Sequence, residues 1–219
     1  MKQFVKHQLS VSSCSQQLKE LKDLLASKAY LDERKDILPF FNQRRDISAL
    51  ISTYVNDIVN PDRLAFELDF FGDFACDLAI GDSNNHTYLL VEFEDAQKHS
   101  LFKNGGKYAP DWGQRLEHGF SQIIDWFWKL DDMEGTADYV HKFGARKATF
   151  HGLLVIGRGE NLTPREQDRL KWRQDQVVVD SKKVSVITFD LLVKDLEFRL
   201  TRYPDAAAAD RGSNGGSKA

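Results

Sequence analysis

The stretch that most constrains the fold is Phe74-Ala-Cys-Asp-Leu-Ala-Ile-Gly-Asp-Ser-Asn-Asn-His-Thr-Tyr-Leu-Leu-Val-Glu-Phe-Glu-Asp95. Two apolar runs, Cys76 to Ile80 and Tyr88 to Val91, flank Asp82-Ser-Asn-Asn-His86, whose residues tolerate the left-handed conformation and suit a tight hairpin turn. The pattern predicts two antiparallel strands. With Asn84-Asn85 as turn residues, Ser83 pairs with His86, and counting back places Asp77 opposite Glu92, with Cβ atoms roughly 4.5–5.5 Å apart on one sheet face. Glu94 joins that face by the two-residue period of a strand. From Phe66 to Asp95 there are eight acidic residues and no Lys or Arg. Like charges at this spacing repel, so either a proton is shared, which raises a pKa, or a cation sits between them.

The rest of the chain supplies layers for this hairpin. Residues 16–60 read as helical, first with Leu18, Leu21, Leu24 and Leu25 on one face, then from Asp46 with Ile47, Leu50, Ile51, Tyr54, Val55 and Ile58 at helical spacing. Leu64 to Phe70 alternates apolar and acidic residues and predicts a first antiparallel strand. A three-residue loop at Phe71 to Asp73 would pair Glu67 with Asp77, whereas a two-residue turn would put it on the other face. Ala96 to Trp112 reads as a loop. Asp111 can cap a helix from Trp112 to about Leu130, with Leu116, Phe120, Ile123 and Phe127 at core spacing, Trp126 and Trp128 also read as core, and His118, Gln122, Asp125 and Lys129 opposite. Thr149 to Gly157 predicts a strand covered on both sides, and Thr163-Pro-Arg-Glu a capping box opening a helix through about Gln174. Val184 to Phe189 reads as a buried strand and Asp190 to Arg199 as a short helix. The expected architecture is a mixed α/β sheet flanked by helices. It divides into an N-terminal helical segment (1–62), an α/β core (63–203) and a disordered tail (204–219) of small and polar residues.

The overall balance of 30 Lys plus Arg against 33 Asp plus Glu announces no nucleic-acid or membrane partner, so any such partner must meet a local patch. Cys14 and Cys76 lack the spacing of a disulfide framework or structural zinc site, which suits the reducing cytoplasm. No stretch approaches the roughly 18 uninterrupted apolar residues of a membrane span. Carboxylate-only ligands select hard cations, Mg²⁺ or Mn²⁺, and leave open positions for a phosphate oxygen and an attacking water, an arrangement for phosphodiester hydrolysis. Lys103, Lys107 and Arg115, with Lys98, are the cations near this site that could contact phosphates. Arg146, Lys147, Arg158, Arg165, Arg169, Lys171 and Arg173 lie farther on.

Asp77, a hairpin, then Glu92-Phe93-Glu94 and a helix resemble the PD-(D/E)XK nuclease core. The longer series Gly72-Asp73-Phe-Ala-Cys-Asp77, Val91-Glu-Phe-Glu-Asp-Ala96, His118-Gly-Phe-Ser-Gln-Ile-Ile-Asp-Trp126, Gly152-Leu-Leu-Val-Ile-Gly-Arg158 and Val186-Ile-Thr-Phe-Asp190 resembles the nuclease domain of the Shedu anti-phage defence family, across roughly residues 16–200. The resemblance implies a PD-(D/E)XK-like fold and a metal-dependent DNA endonuclease or nickase, commonly a homo-oligomer. By the same resemblance Asp77, Glu92 and the carbonyl of Phe93 match the metal ligands, and Gln122 matches a glutamine that completes such sites. Glu94 stands where the general motif has lysine. A glutamate there could bind a second metal or act as general base, and Lys98 could supply the missing cation. The alternative is a catalytically silent module that binds DNA or a protein on the same scaffold.

Overall fold

The computed structural model describes residues 3–103, 109–160, 162–179 and 181–202. The expected tail and Lys107 lie outside the described residues. Among the described residues, seven strands form one mixed sheet, β1 (Val5–Lys6), β2 (Arg63–Phe70), β3 (Phe74–Asp82), β4 (Thr87–Phe93), β5 (Thr149–Val155), β6 (Val178–Val179) and β7 (Lys182–Ile187), in the order β1-β2-β3-β4-β5-β7-β6. Neighbours from β1 to β4 are antiparallel, β4, β5 and β7 are parallel, and β6 returns antiparallel along β7.

Helices cover both faces. On one, α1 (Val11–Ser27), α2 (Leu38–Gln43), α3 (Arg45–Leu50) and α7 (Phe189–Leu200) bury Leu18, Leu21, Phe41, Leu50 and Leu192 against Leu78, Leu89, Val91 and Leu153. On the other, α4 (Gln114–Asp132), α5 (Ala137–Phe143) and α6 (Pro164–Gln176) bury Ile123, Trp126, Phe143 and Leu170 with Tyr88, Leu90 and Leu154. Each fully buried Leu, Ile or Phe contributes roughly 1.5–3 kcal/mol. Residues 1–62, expected to be helical, also supply the edge strand β1, which pairs Val5 with Leu64.

The hairpin has the predicted register but a longer turn: the ladder closes at Asp82 and Thr87, so Ser83 and His86 do not pair, and residues 83–86 form the turn with His86 at φ 47°. Leu78 pairs with Val91 and Asp82 with Thr87, the alignment that sets Asp77 across from Glu92. One acid of the cluster is structural: buried Asp82 accepts N–H bonds from Val59 (3.1 Å), Asn60 (2.9 Å), Asn84 (2.9 Å) and Asn85 (3.1 Å). Burial opposes its charge, but these donors outweigh burial and hold its carboxyl below the usual range.

The β2–β3 loop takes the three-residue form, with Phe70 paired to Phe74 and with Phe71 and Gly72 at φ 58° and 89°. Glu67 is thereby opposite Asp77, yet the ladder skips that position: Phe66 pairs with Leu78 and Leu68 with Cys76. Glu67 itself has φ 49°, a left-handed conformation uncommon outside glycine. Across this point the facing slips by one. Phe66 and Leu78 pack into the α1 side, whereas Leu68 and Cys76 pack into the α4 side, which strict two-residue alternation forbids.

Four local expectations are corrected. The helix from Asp46 is short: α3 ends at Leu50, a 3₁₀ turn covers Ile51–Tyr54, and Val55 and Ile58 are buried from non-helical backbone. The chain leaves the helix so that Val59 and Asn60 can present their N–H groups to Asp82. Asp111 does not cap α4, because its carbonyl accepts from Lys103 N (2.9 Å) and the N-cap is Gly113, whose N–H donates to Leu101 O (2.7 Å). Trp126 is buried but Trp128 is 60 % exposed, since residues two apart on a helix point about 200° apart. Finally, α5, capped by Thr136 and closed by left-handed Gly144, follows α4 where no helix was expected. The capping box at Thr163 and Glu166 forms as predicted.

Candidate functional site

Asp77 comes from β3, Glu92 from β4, and Gln122 from α4, and all three line one cavity of about 510 Å³. Its opposite wall is Glu33 and Arg34, from a π-helical turn (Glu33–Ile37), with Pro39 and Asn42 of α2. Leu38, Glu67 and Ala75 complete the lining. An adjoining cavity of about 200 Å³ shares Glu33, Arg34, Glu92 and Gln122 and adds Glu94, Arg115 and His118.

The hairpin register brings Asp77 and Glu92 within hydrogen-bond contact, while Asp77 Oδ2 accepts the Phe93 N–H at 2.8 Å. Burial is the main cause that raises both carboxyls, and the neighbouring negative charge of Asp77 pushes Glu92 further up. Two acids this close and this dry hold a proton between them unless a cation replaces it. Glu92 Oε2 and Gln122 Oε1 are buried acceptors that meet no donor among the described residues. Such oxygens suit a hard cation by their chemistry, and Asp77, Glu92 and Gln122, with the carbonyl of Phe93, are the residues that could hold one. Among the described residues, no group of three or more His, Cys, Asp or Glu is arranged to hold a metal ion. A cation here would therefore rest on two carboxylates plus amide or carbonyl oxygens.

Glu94 lies just beyond β4, where its N–H donates to Val155 O at 3.0 Å. Its carboxylate is buried and raised to about 7 by that burial, against the pull of Arg115. Arg115 Nη1 stands 3.1 Å from Glu94 Oε2 and 3.2 Å from Glu33 Oε2, and its Nε 3.8 Å from Asp95 Oδ2. Asp95 is fixed in turn by the hydroxyl of Ser100 and by Gln97 Nε2 (2.6 Å). The side chains approach closely because position 119, on the face of α4 that meets β4 and β5, is glycine. A Cβ there would lie 2.6 Å from Leu154 Cδ1 and 3.3 Å from Glu94 Cγ.

The structure thus brings together Asp77, Glu92, Glu94, Gln122 and Arg115. Lys98 and Lys103 are exposed on the 96–112 loop and line neither cavity. Arg115, read from the sequence as a phosphate contact, spends its charge on three carboxylates. Sequence reasoning missed Glu33, Arg34 and Asn42. They precede the first core strand, and their one local signal is Asp32, which caps the π-helical turn by accepting from Arg34 N (3.0 Å) and Lys35 N (2.9 Å). Such turns are rare and often border functional sites.

Among the described residues, no helix is long and apolar enough to cross a membrane. No curated protein matches the chain. The family model described as Shedu protein SduA, C-terminal, matches residues 31–193, a span running from the strand-like bridge at Leu31 through every carboxylate of the site to α7. On that match, which takes in well over half of the chain, the protein belongs to the Shedu family and with it to anti-phage defence.

Proposed function

We propose that this protein is a metal-dependent DNA endonuclease or nickase on a PD-(D/E)XK-like core. Asp77, Glu92, Gln122 and the Phe93 carbonyl hold Mg²⁺ or Mn²⁺. The observation that carries the reading is the pair of donor-less buried oxygens, Glu92 Oε2 and Gln122 Oε1, on the walls of one cavity with Asp77. A buried acceptor without a donor costs about 1–3 kcal/mol, a penalty that a cation removes. When bound, the metal supplies a Lewis acid for a phosphate oxygen and makes a water more acidic.

The chain's own residues do the positioning. The Phe93 N–H fixes one oxygen of Asp77 and so orients the carboxylate. Glu94, raised to about 7, can take up a proton near neutral pH, and Arg115 supplies the fixed positive charge that the general motif assigns to lysine. Arg34, on the wall of both cavities, offers a guanidinium to a phosphate. DNA is the partner, met by Lys98, Lys103 and Lys107. The protein acts as a homo-oligomer, as its family resemblance implies, and in the cytoplasm, which its two unpaired cysteines suit.

A second reading, the silent DNA- or protein-binding module, draws support from Arg115, which neutralises Glu94 with a tight ion pair. Cleavage of linear and supercoiled DNA, with Mg²⁺, Mn²⁺ or EDTA, separates the two. Metal-dependent cutting or nicking that Glu92→Ala abolishes supports the nuclease. DNA binding without cutting under every condition supports the module.

A further inference from the structure

Between the β1 edge of the sheet and the outer helices lies a separate cavity, of about 650 Å³, and none of its lining residues lines the carboxylate cavities. This is the size of a small-molecule site. Its apolar surface comes from Phe4, Leu68, Phe71 and Met133. The Phe4 ring is held by contacts to Tyr88 (5.3 Å between centroids) and Phe143 (6.2 Å), so this wall is rigid.

Four cations face the same hollow from four elements: Lys6 of β1, Arg63 of β2, Lys129 of α4 and Lys142 of α5. Against them, among the described residues, the lining holds one acid, Asp138. Lys129 and Lys142 already have partners, Lys129 in Asp73 Oδ2 at 2.6 Å and Asp132 Oδ2 at 3.7 Å, and Lys142 in the Asp69 carbonyl and, at 3.8 Å, its carboxylate, which leaves Lys6 and Arg63 for a ligand. Lys142 also lies over the Phe71 ring, 4.8 Å from its centroid. Burial holds its ammonium below the usual lysine range, so a neighbouring anion would relieve a standing cost.

We propose that this cavity binds a small amphipathic anion, an aromatic or aliphatic body carrying a carboxylate, sulfonate or phosphate group. The body rests on Phe4, Leu68, Phe71 and Met133, and the head meets Lys6 and Arg63 at the rim. The site touches both supports of the carboxylate cluster: Leu68 follows Glu67 in β2, and Lys129 lies two turns beyond Gln122 on α4.

The test uses the whole chain without DNA or divalent metal, so its outcome is independent of the nuclease reading. The probe is 1-anilinonaphthalene-8-sulfonate, followed by fluorescence titration, with octanoate and dAMP as competitors and octanol and adenosine as their neutral counterparts. The expected result is one saturable site per chain, displaced by at least one of the two anions and about tenfold more weakly by its neutral counterpart, the scale of a single charge-assisted contact. Octanoate displacement identifies a fatty carboxylate as the source, and dAMP displacement a nucleotide. Met133→Trp, which fills the hollow, removes binding. Lys6→Ala with Arg63→Ala, one change at an exposed and one at a half-buried side chain, weakens it about tenfold and carries the test if the tryptophan variant does not fold. Non-saturable binding, equal displacement by neutral compounds, or unchanged binding in the Lys6/Arg63 variant overturns the proposal.

Discussion

Arg115 Nη1, on α4, lies 3.1 Å from Oε2 of Glu94, a side chain only 1 % exposed at the end of β4. The same nitrogen is 3.2 Å from Glu33, so one guanidinium ties the π-helical turn, the central hairpin and α4 together. Removing it leaves a buried carboxylate without its counter-charge. Arg115 is itself 47 % exposed, which screens the pair, so Arg115→Gln should cost about 1–2 kcal/mol rather than the larger loss of a fully buried pair. Glu94→Gln in that background should recover most of the loss. A double-mutant cycle in urea gives the coupling directly, and additive single effects would show that the pair does not act as a unit.

Metal binding at Asp77, Glu92 and Gln122 can be read without any DNA. Mn²⁺ at about one hundred times its dissociation constant should add about 2.7 kcal/mol to the folded state and raise the melting temperature by several degrees. EDTA should reverse the shift. Glu92→Ala should abolish it and Gln122→Ala reduce it, because each removes one of the donor-less oxygens. Equal shifts in all three proteins would place the metal elsewhere.

Gly113 has an ordinary φ of −65°, so its role is close approach rather than backbone freedom. A Cβ at this position would fall inside the contact distance of the Ser100 carbonyl oxygen. Gly113→Ala should therefore push the 96–112 loop off the start of α4 and cost about 1–3 kcal/mol, the usual price of overpacking. The urea midpoint measures it. Because Ser100 holds Asp95, the variant should also loosen the Arg115 cluster.

His151, on β5, has a buried Nε2 without a partner among the described residues, and burial lowers its pKa from the ordinary 6.5. The unfolded chain then binds more protons than the folded one below about 6.5, so this residue makes stability fall as pH drops through that value. The buried carboxyls, whose values are raised, act in the opposite sense, so the effect is read by comparison with a variant. His151→Leu should lose less stability than the wild type between pH 7 and pH 5 in urea titrations. Parallel pH curves would show that His151 does not contribute.

The hairpin was legible because everything that sets it is local. The polar cluster centred on Asn84-Asn85 sets the register, although the turn takes in Ser83 to His86, a period of two fixes the facing, and the pairing of Leu78 with Val91 follows. Asp77 and Glu92 meet for that reason alone. The capping box of α6 and the apolar stripe of α1 were equally readable, since a cap and a helical face involve residues three or four apart.

What the sequence could not decide depends on contacts between distant segments. The local pattern leaves open which loop joins β2 to β3, and nothing in it marks the left-handed Glu67 or the slip in facing beside Asp77. Glu33 and Arg34 reach the site because α1 to α3 pack on the hairpin, over separations of about 40 residues and more. The cation opposite Glu94 was sought in the neighbouring loop, at Lys98, but α4 delivers it through Arg115. By itself, then, the sequence determined the strand register and the pair of carboxylates, because backbone periodicity acts over a few residues. The tertiary structure alone decided which charges surround that pair, because burial and ion pairing are set by the packing of whole elements against the sheet.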